Sequence, residues 1–200
     1  MSDKPKGLSE EQCREMCGEE TMDGPDYRPN HDEYFMEFAR TAAKRATCPR
    51  GRSGAALVKD KQIISTGYVG AAAGLPHCDE VGCLIRSVDY EDGSTHKHCM
   101  RTAHAEGNAI IQAAKHGIST KGATLYCKME PCLRCCVDII NAGIVRVVAE
   151  YEYHGAELTR EWFKEAGVEL VVLNAQPADY EDKWRRGPEP DPDILGDKYE

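Results

Sequence analysis

The chain of 200 residues holds no apolar run approaching the roughly 18 residues that cross a bilayer. With a mean hydropathy of −0.56, a membrane-embedded protein is not expected. Its opening residues, Met1-Ser-Asp-Lys-Pro-Lys-Gly-Leu, lack the apolar core of a secretion signal, which points to the cytoplasm. Basic residues are in deficit: 25 Lys and Arg stand against 34 Asp and Glu, for a net charge of −9. Without a basic surplus, a surface that tracks nucleic-acid phosphates is not expected. Internal repeats are absent as well.

Cysteine, by contrast, is abundant: Cys13, Cys17, Cys48, Cys78, Cys83, Cys99, Cys127, Cys132, Cys135 and Cys136. Without a secretion signal, such enrichment points to metal or redox chemistry rather than to disulfides. A chain of this length makes about one domain and buries roughly 70% of its unfolded surface. It needs no cross-links merely to fold, so the thiols need a chemical reason.

The composition divides the chain into an irregular Gly- and Pro-marked segment over 1–28, a core over 29–174 and a polar tail over 175–200. Cys13 and Cys17 read as unpaired thiols one helical turn apart. In the core, Tyr34, Phe35, Phe38, Ala39 and Ala42 recur at helical spacing after the capping candidates Asn30 and Asp32, which predicts a helix to about Thr47. A two-strand hairpin follows over 54–59 and 62–67. Residues 68–100 mix Gly, Pro, His, Cys and Asp without a period and read as an ordered insertion, functional or held by something else.

Beyond it, helices are expected over 103–116, 132–142 and 156–166, each followed by a glycine: Gly117, Gly143 and Gly167. Strands are expected over 123–127, 144–149 and 168–173. The apolar run Ile144-Val-Arg-Val-Val-Ala149 marks a strand buried on both faces. Strands and helices alternating at this pitch make an α/β layer structure.

His104-Ala-Glu106 opens one predicted helix and Pro131-Cys132-Leu-Arg-Cys135 the next, with 24 residues between Glu106 and Pro131. That interval fits the rest of a helix and a strand, setting two helix N-termini side by side at one end of a sheet. One imidazole and two thiolates give zinc three protein ligands and leave the fourth position open, the mark of a catalytic site. Helix N-termini also stabilise thiolates. Glu106, two residues past the histidine, is placed to handle a proton without ligating the metal. H-x-E combined with P-C-x-x-C is the signature of zinc-dependent nucleobase deaminases. Each half alone is weak, and a bare C-x-x-C also suits a redox pair, a reading that leaves His104 and Glu106 without a role.

His104-Ala-Glu-Gly-Asn-Ala-Ile110, preceded by Cys99-Met-Arg-Thr102, resembles the H-A-E-x-N-A-I segment of deoxycytidylate (dCMP) deaminases. Gly67-Tyr68, Gly70 and Gly74-Leu-Pro-His-Cys78 resemble that family's glycine-rich loop, and the likeness runs from about Tyr34 to Leu173. The resemblance implies a three-layer α/β/α cytidine-deaminase-like fold with a mixed sheet of about five strands. It further implies a zinc hydrolase that converts dCMP to dUMP with release of ammonia, with Zn2+ on His104, Cys132 and Cys135 and Glu106 as the catalytic proton shuttle. Backbone groups of Met129 and Glu130 would meet the exocyclic amine, with Arg101, Lys128 and Tyr153 as further substrate contacts. A homohexamer with nucleotide sites near its subunit contacts is implied too, as are dCTP and dTTP as effectors.

Cys48 and Cys78 fall where some members of the family hold a structural zinc, and His98 with Cys99 would complete it. His77, Cys83 and His96 are rivals for the fourth ligand. Such a site would order residues 68–100, because structural zinc contributes directly to folding. Cys127 and Cys136 read as packing residues.

One departure concerns the substrate. Val69 stands where the family has the asparagine that bonds the sugar hydroxyl, and Ala72 or Ala73 replaces a nearby proline. Losing such a bond costs about 0.5–1.5 kcal/mol if nothing replaces it. Other deaminase substrates that would use the same zinc site therefore stay open: another nucleoside or nucleotide, a modified base, or tRNA adenosine. So does a non-catalytic zinc-binding assembly protein of the kind encoded in DNA-uptake operons.

Overall fold

A computed structural model describes residues 28–89 and 95–177. Nearly all of the expected N-terminal segment, with Cys13 and Cys17, and most of the expected tail lie outside the described residues. In chain order come α1 (His31–Ala43), β1 (Gly54–Lys59), β2 (Gln62–Tyr68), β3 (Gly70–Ala71), α2 (Cys78–Val81), β4 (Ile85–Asp89) and β5 (Thr95–Cys99). Then follow β6 (Thr102–Ala103), α3 (Ala105–Lys115), β7 (Thr124–Met129), α4 (Leu133–Asn141), β8 (Arg146–Glu152), α5 (Glu157–Ala166) and β9 (Glu169–Pro177).

Five strands form one mixed sheet in the order β2-β1-β7-β8-β9. The β1–β2 hairpin turns on Asp60 and Lys61, both at positive φ, the geometry that matches the twist of a two-residue hairpin loop. β1 pairs antiparallel with β7, and β8 and β9 add in parallel, each after a crossover helix. Alternation along the strands gives the sheet two apolar faces. Ala55, Leu57, Leu125, Cys127, Val147 and Ala149 belong to the core with α3, α4 and Phe163 of α5. Ala56, Val58, Tyr126 and Val148 pack against Phe35, Met36 and Ala39 of α1. The three-layer α/β/α expectation is met.

Small residues set how closely the helices approach. Ala105, Ala109 and Ala113, one turn apart on α3, are fully buried. Opposite them Gly67 leaves no room for a side chain: a Cβ there would lie 2.2 Å from the carbonyl oxygen of Ala105 and 2.4 Å from the amide nitrogen of Ala109. Two hydrogen bonds pin the same contact. Ser65 Oγ donates to the Ala109 carbonyl at 2.6 Å, and Asn108 Nδ2 donates to the Tyr68 carbonyl at 2.8 Å. On the other face, Arg146 grips both carboxylate oxygens of Asp32 at 2.7 and 2.8 Å, and the Tyr126 hydroxyl donates to Asp32 Oδ1 at 2.8 Å.

The structure departs from the sequence reading in two places. The first helix ends at Ala43 instead of about Thr47, because Lys44, Arg45 and Ala46 bond back to the carbonyls three residues earlier and Thr47 turns to the Val69 carbonyl. The insertion over 68–100 is not devoid of regular structure. It contains α2 and an antiparallel ribbon in which Ile85 pairs with Cys99 and Asp89 with Thr95. Thr-His-Lys-His-Cys and Ile-Arg-Ser-Val-Asp bury too little to show an apolar alternation, so the period that betrays a strand is missing.

Two predictions follow from these contacts. Gly67→Ala forces backbone apart and costs about 2–3 kcal/mol, a drop in Tm of about 5–10 °C at this size. In Gly107→Ala, where a Cβ meets nothing within 4 Å, the helix gains about 0.5–1 kcal/mol instead. Differential scanning calorimetry of the two variants checks the contrast. For Asp32, the hydrogen bonds from Arg146 hold the carboxyl below its ordinary 3.8, against the opposing effect of burial. A depressed carboxylate stabilises the fold above its unfolded pKa and loses that contribution as pH falls through its folded value. Asp32→Asn is therefore expected to lose about 1–2 kcal/mol at pH 7. The deficit shrinks as the pH falls below about 3.8, as denaturant titrations across pH would show.

Candidate metal centre

Two helix N-termini meet beside the end of β7. His104 is the N-cap of α3 and Cys132 the N-cap of α4, both extended, and neither side chain makes a capping bond. At that position Ser, Thr, Asp or Asn would turn back onto the helix. The imidazole and the thiol are instead free to face each other. His104 Nδ1 lies 3.4 Å from Cys132 Sγ and 3.4 Å from Cys135 Sγ. Tetrahedral zinc, with bonds of about 2.0–2.1 Å to nitrogen and 2.3 Å to sulfur, sets such donors about 3.5 Å apart. The three donors fit. They grade from exposed His104 through half-buried Cys132 to buried Cys135, so the cluster opens to solvent on one side.

Glu106, in the first turn of α3, is buried, and the Cys135 thiol donates toward its Oε2 at 3.7 Å. Burial pushes the Glu106 carboxyl above its ordinary value, so it holds a proton more readily than a surface carboxylate. A hydrogen bond from Cys135 and another from His104 hold the Cys132 thiol down at about 3, against burial. The same sharing with Cys132, then burial, pushes Cys135 up, and the bond to Cys132 raises His104. Helix dipoles at both caps favour the anion that a metal requires.

A second set of thiols converges at the base of the β4–β5 ribbon. The sulfurs of Cys78, Cys83 and Cys99 lie within 4.8 Å of one another, with Cys78 and Cys99 3.7 Å apart. Sulfurs on a tetrahedral zinc are about 3.8 Å apart, so this set also fits. The amides of Arg101 and Leu84 donate to Cys99 and lower its pKa against burial.

This set differs from the one expected from sequence. Cys83 belongs to it; Cys48 and His98 do not. Cys48 is buried nearby, close enough to influence both Cys78 and Cys83. His98 precedes Cys99 on a strand, and alternation sends it to the opposite face. Of the rivals, His77 is engaged through Nδ1 with Thr47 Oγ1 at 2.9 Å, and the side chain of His96 lies outside the described residues.

The remaining candidates scatter. Strand alternation puts Lys128 on the Tyr126 face, toward α1 and away from Cys127 and the metal centre. Arg101 sits in the turn before β6, its Nε buried without a hydrogen-bond partner. Met129 is buried at the end of β7. Glu130 is buried too, but its carboxylate is taken: Arg160 donates from Nε and NH2 at 2.7 and 2.6 Å, and the Tyr153 amide at 3.1 Å. Its side chain is thus no substrate contact, because it is fully enclosed. Val69 is buried in a small apolar cluster with Ala46 and Cys48. Sequence reasoning gave Asn108 and Arg160 no role. Asn108 lies inside the quoted H-A-E-x-N-A-I segment, whereas nothing local to Arg160 signals a partner 30 residues away.

Comparison with known proteins agrees with this geometry. The sequence model of the cytidine and deoxycytidylate deaminase zinc-binding region matches residues 29–151. The chain is 40% identical over 158 residues to ComE operon protein 2 of Bacillus subtilis (strain 168), covering 78% of this chain and 79% of that protein. It is 38% identical to the deoxycytidylate deaminase of Schizosaccharomyces pombe over 72% of this chain, but spans only 44% of that protein's length. The crystal structure of dCMP deaminase from the cyanophage S-TIM5, in complex with dCMP and dUMP, is similar with a TM-score of 0.59. Identity there is 30%, covering 73% of this chain and 98% of the phage chain.

Proposed function

The chain belongs to the cytidine and deoxycytidylate deaminase zinc-binding family, and from that membership we propose that it catalyses the hydrolytic deamination of dCMP to dUMP with release of ammonia. One observation carries the reading: a buried carboxyl, Glu106, stands beside three convergent donors open to solvent on one side. The fission yeast relative and the phage protein, both deoxycytidylate deaminases, support the choice of substrate.

His104, Cys132 and Cys135 would hold zinc, which supplies a Lewis acid that makes water nucleophilic near neutral pH. Glu106 takes the proton of the attacking water and passes it to the ring nitrogen N3. A C4–O bond forms as the C4–N3 double bond opens. Glu106 then takes the remaining hydroxyl proton and delivers it to the amino group, and the C4–N bond breaks as C4=O forms and ammonia leaves. Backbone groups of Met129 and Glu130 border the exocyclic amine, and Arg101 and Tyr153 supply further contacts.

A second, structural zinc on Cys78, Cys83 and Cys99 belongs to the same reading, with the nearby Cys48, which stands outside the group of three, drawn in to close the fourth position. So do a catalytic domain over about 29–174, a cytoplasmic homohexamer, and regulation by dCTP and dTTP, all of which rest on family resemblance. Among the described residues no helix is long and apolar enough to cross a membrane. Val69 favours a second reading, another nucleoside or nucleotide substrate at the same centre, because it brings no polar group to the sugar.

The test is ammonia release from dCMP by the purified protein, with zinc measured on the same sample. Turnover with about two zinc ions per chain is expected. Glu106→Gln keeps the metal and loses about 10²–10⁴-fold in kcat; near-wild-type turnover in that variant refutes the proton-shuttle role. Cys99→Ser loses one equivalent of zinc and lowers Tm. Full zinc without turnover moves the search to other amine-bearing substrates, and absence of zinc refutes the proposal.

A further inference from the structure

Glu130 is the most completely enclosed charged side chain among the described residues, with 0% of it exposed. It stands two residues before Cys132, in the connection from β7 to α4. Its partners come from elsewhere: a bidentate fork from Arg160 in the first turn of α5, and the amide of Tyr153 just past β8. The backbone joins the same junction, because the Glu130 amide donates to the Tyr151 carbonyl at 2.9 Å. Tyr153 is itself confined. Its ring lies 4.6 Å from that of His154, and a Cβ on Gly155 would come within 3.3 Å of it.

We infer that the Glu130–Arg160 pair is a positioning device that locks the β7–α4 and β8–α5 connections into one rigid edge of the active site. The inference rests on the deaminase reading above. The first connection carries the Cys132 donor, and the second carries Tyr153 at the same end of the sheet. The Glu130–Tyr151 backbone bond joins the two connections at their start. The carboxylate ties them a second time from its side chain, and the arginine is what makes a charge tolerable there.

The energetics are asymmetric. Arg160 is 41% exposed, so a guanidinium that loses its partner returns to water. Glu130 cannot: without Arg160 its carboxylate is left buried against one amide, and uncompensated buried charge is among the costliest defects in a fold. Glu152, 3.9 Å from Arg160 Nη2, also pairs with the arginine but, being an anion itself, offers Glu130 no substitute for it. Damage is therefore ordered, with Arg160→Ala worst, Glu130→Gln milder and Arg160→Lys mildest, since a lysine restores the charge but not the fork.

Two measurements on the zinc-loaded protein test this, one of which needs no substrate. By hydrogen exchange, Arg160→Ala is expected to raise exchange at least about tenfold in 129–132 and 151–155 together, with α3 unchanged. In steady-state kinetics with dCMP, KM rises about tenfold or more while kcat stays within about threefold, and Arg160→Lys recovers part of the KM. Faster exchange confined to 156–166 overturns the inference. So does a lower Tm with unmoved KM, or a loss of kcat alone. If Arg160→Ala does not fold, Glu130→Gln and Arg160→Lys carry the same comparison. A wild-type protein that ignores dCMP refutes the substrate, and the exchange pattern then decides the positioning role by itself.

Discussion

A nitrogen and two sulfurs that share one metal must stand about 3.5 Å apart, and these donors come from two different helices. No local feature of either helix fixes that distance. It is set by how closely α3 and α4 settle on the sheet, and the contact that sets it for α3 is between Gly67 and the backbone of Ala105 and Ala109. The buried alanine stripe of α3, the Ser65 and Asn108 bonds and the glycine are parts of one constraint. A helix with larger residues on that face would ride higher and carry His104 away from the cysteines. The N-cap positions then do the rest. A cap residue is the last extended residue before a helix, so its side chain projects at the helix end, where the dipole favours an anion.

Charge burial separates scaffold from chemistry. Three carboxyls lie buried among the described residues: Glu106, Glu130 and Glu150. Glu150 is matched by Arg40 at 2.9 Å and Glu130 by Arg160 at 2.6 Å. Glu106 has no arginine or lysine partner among the described residues; its neighbours are the Cys135 thiol, its own backbone amide and the His104 ring. A carboxyl left without a cation in such a place is one whose proton is easily kept, and a group of that kind beside a metal centre is suited to carrying protons. Two arginines therefore neutralise the carboxyls that hold strands and loops together, and the one without such a partner marks the reacting end of the molecule.

The legible part of the sequence was the part whose signal is local. His104, Glu106, Cys132 and Cys135 lie in two short motifs, and the helices they open follow from periodicity and closing glycines. The five sheet strands were visible as apolar runs. What escaped detection depends on pairing between distant segments. The described side chains of β4 and β5 are exposed or half-buried with no apolar alternation, so the ribbon's existence follows from the register of Ile85 with Cys99 rather than from either strand alone. Cys83, likewise, could not be preferred over Cys48 or His98 until that ribbon placed it beside Cys78. Lys128 and Glu130 looked like site residues because they flank the metal motif. Strand alternation turned the first toward α1, and Arg160 claimed the side chain of the second, which leaves only its backbone for the expected role.

Val69 becomes intelligible from the same long-range contacts. Its amide donates to the Ser53 carbonyl and its carbonyl accepts from the Thr47 amide, so its backbone is committed to neighbouring loops. Its side chain packs with Ala46 and Cys48. An asparagine in this conformation would bury a carboxamide in an apolar cluster without partners, at a cost of about 1–3 kcal/mol. The valine side chain therefore belongs to the packing around Cys48, beside the second thiol set.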